Sequence, residues 1–148
     1  MALPLDLIDL LSEFAAVGAR ALLVGGHAVA VHGRPRFTKD ADVWIGADAE
    51  NVRRVCLALE RFGAPRAVVD ALPGAAPLDV VWMGQPPARI DLMKAVPGGD
   101  FEACWARRLE IEDSGVRVAV VGRADLVALK QASGRPQDLE DARALGRE

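Results

Sequence analysis

The chain sets a glycine pair, Gly25-Gly26, between the apolar run Leu22-Leu23-Val24 and a segment of helical character, and follows it with Thr38-Lys39-Asp40-Ala41-Asp42-Val43-Trp44-Ile45. A glycine pair at that point breaks a strand, starts a helix and lets backbone approach a ligand closely, which suits a phosphate. Side chains alternate along a strand, so Asp40 and Asp42 leave on the same face with Cα atoms roughly 6.5 Å apart. Burying two carboxylates side by side without a cation raises one pKa at a high energetic cost. A divalent ion removes that penalty, so the arrangement points to metal-dependent phosphoryl or nucleotidyl chemistry. Neither feature is specific alone: Gly-Gly is a common turn, and paired acids on a strand are often only solvated. Their order and the apolar setting of the second strand carry the reading.

The rest of the chain supplies a fold around this pair. Leu7, Ile8, Leu11 and Phe14 recur at three- and four-residue spacing after Pro4, which predicts an amphipathic helix to about Val17, ended by Gly18. A buried strand is expected over Arg20–Val24, a helix over His27–His32 and a second strand over Arg36–Ile45. Asp48 is placed to cap a helix from Ala49 to about Phe62, with Val52, Val55, Cys56 and Leu59 inward. Two β-branched runs, Leu78–Met83 and Arg89–Met93, flank Gly84-Gln85-Pro86-Pro87 and read as a hairpin. A short helix over Asp100–Arg108, a strand over Val116–Val121, a helix from Arg123 to Gln131 and a last helix after Pro136 complete the pattern. The expectation is one α/β (α+β) domain over residues 1–148, a small mixed sheet flanked by helices.

Composition narrows the partners. With 51% hydrophobic and 26% charged residues and a net charge of −3, the chain has no global basic field for nucleic-acid backbone. Arg53, Arg54, Arg107 and Arg108 are the candidates for a local basic patch, and nucleic acid stays an open partner. Cys56 and Cys104 sit in apolar helical surroundings without metal or redox spacing and are expected as reduced core residues, a disulfide being the alternative. The N-terminus lacks the features of a secretory signal, and no apolar segment is long enough to span a bilayer, so a cytoplasmic location is expected. Trp44, Trp82 and Trp105 read as core residues, one of which has the option of stacking a base.

The run Val24-Gly25-Gly26-His27-Ala28-Val29-Ala30 with Arg36-x-Thr38-x-Asp40-x-Asp42 resembles the signature of the DNA polymerase β-type nucleotidyltransferase superfamily. It is similar to the small bacterial branch that includes the AbiEii-type toxins and related nucleotidyltransferase-like domains. Asp125-Leu126-x-x-x-Lys130 with Gly134-Arg135-x-x-Asp138-x-x-Asp141 resembles the C-terminal helical motif of that branch. The similarity covers about residues 20 to 145.

The resemblance implies a third acid on a neighbouring strand. Asp91 in Arg89-Ile90-Asp91-Leu92-Met93 matches in position and apolar context, with Asp79 as its competitor. It implies two Mg²⁺ ions held by Asp40, Asp42 and Asp91, one organising an NTP and one activating an acceptor hydroxyl, with Asp91 able to take the hydroxyl proton. Gly25, Gly26, Arg36 and Lys130 would contact the triphosphate; Lys130 is one of only three lysines, so its motif position stands out. Arg135, Asp138 and Asp141 are expected as a structural ion-pair network, and His27 and His32 as packing or capping residues.

The implied activity is Mg²⁺-dependent transfer of an NMP from an NTP such as ATP to a hydroxyl of a protein, a tRNA or a small molecule, within a bacterial toxin–antitoxin pair or outside one. The alternative is a catalytically inactive nucleotide- or partner-binding module of the same fold, against which the intact acid triad argues. Larger members carry an added helical domain that grips the acceptor. The little chain left beyond the motifs here predicts a cognate partner protein, a homodimer that builds the cleft, or a small acceptor. The chain has no tyrosine, so self-modification would fall on serine or threonine.

Overall fold

The computed structural model describes residues 3–35 and 37–146. Helix α1 (Leu5–Val17) buries Leu7, Ile8, Leu11 and Phe14, the spacing that predicts it. Gly18 ends it at φ 72°, where the Gly18 and Ala19 N–H groups close on the Ala15 and Phe14 carbonyls. Strand β1 (Ala21–Val24) is buried throughout, and α2 (Gly25–Val31) begins at the glycine pair itself. Strand β2 (Asp40–Ile45) starts later than its apolar pattern predicts, with Thr38 outside the ladder donating its hydroxyl to the Asp40 carbonyl at 2.8 Å.

Helix α3 (Ala49–Phe62) has the expected bounds because both of its ends are capped: Asp48 accepts the Asn51 N–H at 3.0 Å, and Gly63 takes the left-handed conformation. Cys56 is half-buried on this helix, while Asn51 is buried beside Val52, Val55 and Leu59. A short helix, α4 (Arg66–Ala71), follows Pro65 and buries Val69 against the core. Strands β3 (Val80–Met83) and β4 (Arg89–Met93) form the expected antiparallel hairpin. After α5 (Phe101–Ala106) comes a second hairpin of β5 (Leu109–Asp113) and β6 (Val116–Val120), turned at Ser114 (φ 53°) and Gly115 (φ 79°). Two left-handed residues in a row match the twist of the strands they join. Helices α6 (Arg123–Ser133) and α7 (Pro136–Gly146) pack against each other at the end of the chain.

The strands form one six-stranded sheet in the order β3-β4-β2-β1-β6-β5. It is mixed, as expected: β2 runs parallel to β4 and β1 parallel to β6, while the other neighbours are antiparallel. Helices α1 and α3 pack on each other and on the sheet, and the central strands carry the core residues Leu22, Leu23, Val43, Trp44, Ile45 and Leu92. Register then fixes the site, with Val24 opposite Asp42, Asp42 opposite Asp91, and Trp82 opposite Asp91. No helix among the described residues is long and apolar enough to cross a membrane.

Candidate functional site

Parallel pairing of β2 with β4 sets Asp42 beside Asp91, and the period of two along β2 puts Asp40 on the same face. Asp40, Asp42 and Asp91 each offer a carboxylate oxygen, and these atoms lie within 4.8 Å of one another. Asp91 is buried and the other two are half-buried. Burial, followed by the charges of Asp40 and Asp91, pushes the Asp42 carboxyl up to about 7. Three hard oxygen donors from separate positions, one of them held uncomfortably charged, fit a divalent cation such as Mg²⁺. Asp79 lies outside β3, in a turn where its carboxylate accepts the Ala76 N–H at 3.3 Å.

The glycine pair meets this cluster from β1. Gly25 has φ 71°, and a β-carbon there would lie 2.1 Å from Asp42 Oδ2. Glycine is therefore required at 25 both for its backbone conformation and for the room it leaves Asp42. Gly26 is buried and lines the same cleft, which opens over the triad with a volume of about 920 Å³. Val80, Met93 and Phe37 line it as well, and α6 and α7 add Lys130, Ser133, Arg135 and Asp138.

On that helical wall the ion-pair network expected of Arg135, Asp138 and Asp141 also takes in Lys130. Lys130 Nζ is buried, 3.0 Å from Asp138 Oδ1 and 3.1 Å from Asp141 Oδ2, so its immediate partners are two buried carboxylates and it binds α6 to α7. Burial alone would raise the Asp138 carboxyl, but hydrogen bonds from Ser133, Lys130 and Arg135 outweigh it and hold the group at about 2. Arg135, assigned from its spacing to the ion-pair network, does pair with Asp138 at 2.8 Å, yet 79% of its side chain is exposed. Arg36 lies outside the described residues.

Arg89 escaped the sequence reading, and Trp82 figures there as a core residue or base stacker, not as its partner. Arg89 Nε donates to Asp91 Oδ1 at 2.6 Å, and its guanidinium lies 4.4 Å from the centroid of the Trp82 ring. The signal was available, since the period of two that joins Asp40 to Asp42 also joins Arg89 to Asp91. Trp82 is 52% exposed, which corrects the expectation of a core residue: on the edge strand β3, Val80 and Trp82 lie on the face of the sheet that carries Asp91 and are left half-exposed there. Trp44 is in the core, and Trp105 is half-buried, stacked on Phe101.

The remaining candidates have structural partners. His32 Nε2 is 2.8 Å from the Val121 carbonyl, and His27 is half-buried in α2. Arg53 and Arg54 both pair with Glu50, Arg107 pairs with Asp125 at 2.9 Å, and Arg108 lies over the Trp105 ring at 4.0 Å with Glu110 beside it. Each of the four arginines named for a local basic patch thus has an acidic neighbour, Arg53 and Arg54 sharing one. Both cysteines are free thiols.

A sequence profile described as "nucleotidyltransferase of unknown function" (DUF6036) matches residues 6–146. Among solved structures, the chain is similar to an antigenic nucleotidyltransferase-like protein from Paracoccidioides brasiliensis. That match has a TM-score of 0.52 and 14% identity, over 98% of this chain and 78% of that one. At this identity the likeness is one of fold. No curated protein sequence matches the chain.

Proposed function

The chain belongs to a family of nucleotidyltransferases of unknown function, and from that premise we propose that it moves a nucleoside monophosphate from an NTP to an acceptor hydroxyl. The observation that carries this reading is the convergence of Asp40, Asp42 and Asp91 from two paired strands onto one point of the cleft. A cleft of about 920 Å³ is of the size that takes a nucleotide.

Asp40 and Asp42 would hold one Mg²⁺ and share a second with Asp91. When bound, the ions neutralise the triphosphate and lower the pKa of the acceptor hydroxyl. Asp91 accepts the hydroxyl proton as the acceptor oxygen bonds to the α-phosphorus. The bond from that phosphorus to its bridging oxygen breaks, and the electron pair leaves with pyrophosphate. Gly25 and Gly26 leave space for the phosphates beside Asp42, and Arg135, exposed on the helical wall, donates to them, with Arg36 proposed from its place in the motif. Lys130 holds the wall that presents Arg135, and its charge, like that of Arg135, favours the ionised form of Asp42. The acceptor is a protein, tRNA or small-molecule hydroxyl. A role in a toxin–antitoxin pair, with a cognate partner or second copy completing the cleft, rests on the motif resemblance.

Thermal unfolding with each of the four NTPs, with and without Mg²⁺, tests this reading. A ligand at a hundred times its Kd adds about 2.7 kcal/mol, several degrees for a domain of this size. The reading predicts a Mg²⁺-dependent rise with at least one NTP that is lost in Asp40→Ala/Asp42→Ala. No rise with any NTP contradicts it.

A further inference from the structure

We propose that Arg89 is a resident counter-cation at Asp91, so that a divalent ion occupies the Asp91 side of the triad only by displacing it; this rests on the triad being a metal site. The Arg89 Nε–Asp91 Oδ1 hydrogen bond of 2.6 Å is charge-assisted and short, and Asp91 is only 8% exposed. A carboxylate that buried is favoured in its charged form by a cation hydrogen-bonded to it. Among the described residues no cation is hydrogen-bonded to Asp40 or Asp42, and Lys130 and Arg135 act on Asp42 only through space, so among them the hydrogen-bonded cation is at one end of the triad. A guanidinium and a divalent ion on one carboxylate repel each other, and the two halves of the site are therefore unequal. The half at Asp40 and Asp42 takes an ion directly; the half at Asp91 exchanges one cation for another.

The guanidinium has somewhere to go. It already lies over the Trp82 ring at 4.4 Å, and Trp82 stands opposite Asp91 on the half-exposed edge strand. Released from Asp91, Arg89 stays on that ring and keeps its charge on the side of the triad away from Lys130 and Arg135. Arrival of the second ion is thus coupled to the appearance of a free guanidinium beside Asp91.

Mn²⁺ alone is the probe, followed by the EPR signal of the free ion in a titration without nucleotide. Wild type is expected to bind one ion, with a second at least about tenfold weaker. Arg89→Gln is expected to tighten the second ion about tenfold while leaving the first unchanged. Arg89→Lys is expected to fall between, because lysine keeps the charge but loses the planar stack. Identical pairs of affinities in wild type and Arg89→Gln overturn the proposal and leave the metal site standing. Absence of binding in both overturns the metal site and this proposal together. Tryptophan emission of the wild type supplies a readout that needs no variant at position 89. Subtracting Trp82→Phe isolates the Trp82 signal, which is expected to change in the second, weaker phase; a change confined to the first phase, or none, overturns the proposal.

Discussion

Gly25 and Asp42 are so close across the β1–β2 ladder that a β-carbon on residue 25 would lie 2.1 Å from Asp42 Oδ2. The two sequence features that stand fifteen or so residues apart are thus one structural feature, joined by the pairing of Val24 with Asp42. Gly25→Ala is expected to cost about 1–3 kcal/mol through its φ of 71° and to push the Asp42 carboxylate off the triad. Chemical denaturation measures the first effect, and loss of the NTP-dependent thermal shift reports the second.

The metal-free protein is expected to lose stability as pH rises toward about 7, through the carboxyl of Asp42. The Asp42 carboxyl is raised from the ordinary 3.8 to about 7 by burial and by Asp40 and Asp91, so between those values the folded state binds more protons than the unfolded state. Its stabilising contribution is full below 3.8 and gone above about 7, at most ~4 kcal/mol. Urea titrations at pH 5 and pH 8 in chelator check this: wild type is expected to lose more stability across that interval than Asp42→Asn, and Mg²⁺ to restore the loss at pH 8. Equal pH dependence in the two proteins contradicts it.

Lys130 and Arg135 separate by what their loss does. Lys130→Met leaves Asp138 and Asp141 buried without their lysine and is expected to cost about 3–5 kcal/mol. Arg135→Gln removes an exposed partner and is expected to cost at most about 1 kcal/mol. Its effect belongs to the nucleotide, as a weaker NTP affinity by calorimetry. A large stability loss in Arg135→Gln with unchanged affinity reverses these assignments.

Asn51 anchors the far end of the central strands. Its side chain accepts the Arg20 N–H at 2.7 Å and donates to the Arg20 and Gly46 carbonyls at 3.0 and 2.8 Å, tying α3 to the entry of β1 and the exit of β2. Asn51→Leu strands these backbone groups and is expected to destabilise by about 2–4 kcal/mol. Because the triad lies at the other end of β2, the NTP-dependent thermal shift of the variant is expected to survive.

What the sequence made legible follows from the range of each interaction. Asp40 and Asp42 share a face by strand period alone, and α3 ends where Asp48 and Gly63 cap it, so local rules suffice for both. Strand β5 was missed although Leu109-Glu110-Ile111-Glu112 alternates with a strand's period of two and Ser114-Gly115 marks its turn, because glutamate is a poor strand former and the strand rests on pairing with β6. Helix α4 was not read from the sequence because it is short and the Pro65 that precedes it suits a turn as well as a helix start. The place of Lys130 in the ion-pair network was invisible because it depends on how α7 folds back on α6, which brings Asp138 and Asp141 to Lys130. Trp82 was placed in the core because an apolar run does not say which strand lies at the sheet edge.

A crystal structure with Mn²⁺ and a non-hydrolysable NTP analogue tests the central claim most directly, because anomalous scattering locates the ion without assumption. The account predicts an anomalous peak among the carboxylates of Asp40, Asp42 and Asp91, with the triphosphate in the cleft between Gly25 and the Arg135 wall. An analogue bound elsewhere, or a triad without an ion beside a bound nucleotide, contradicts it.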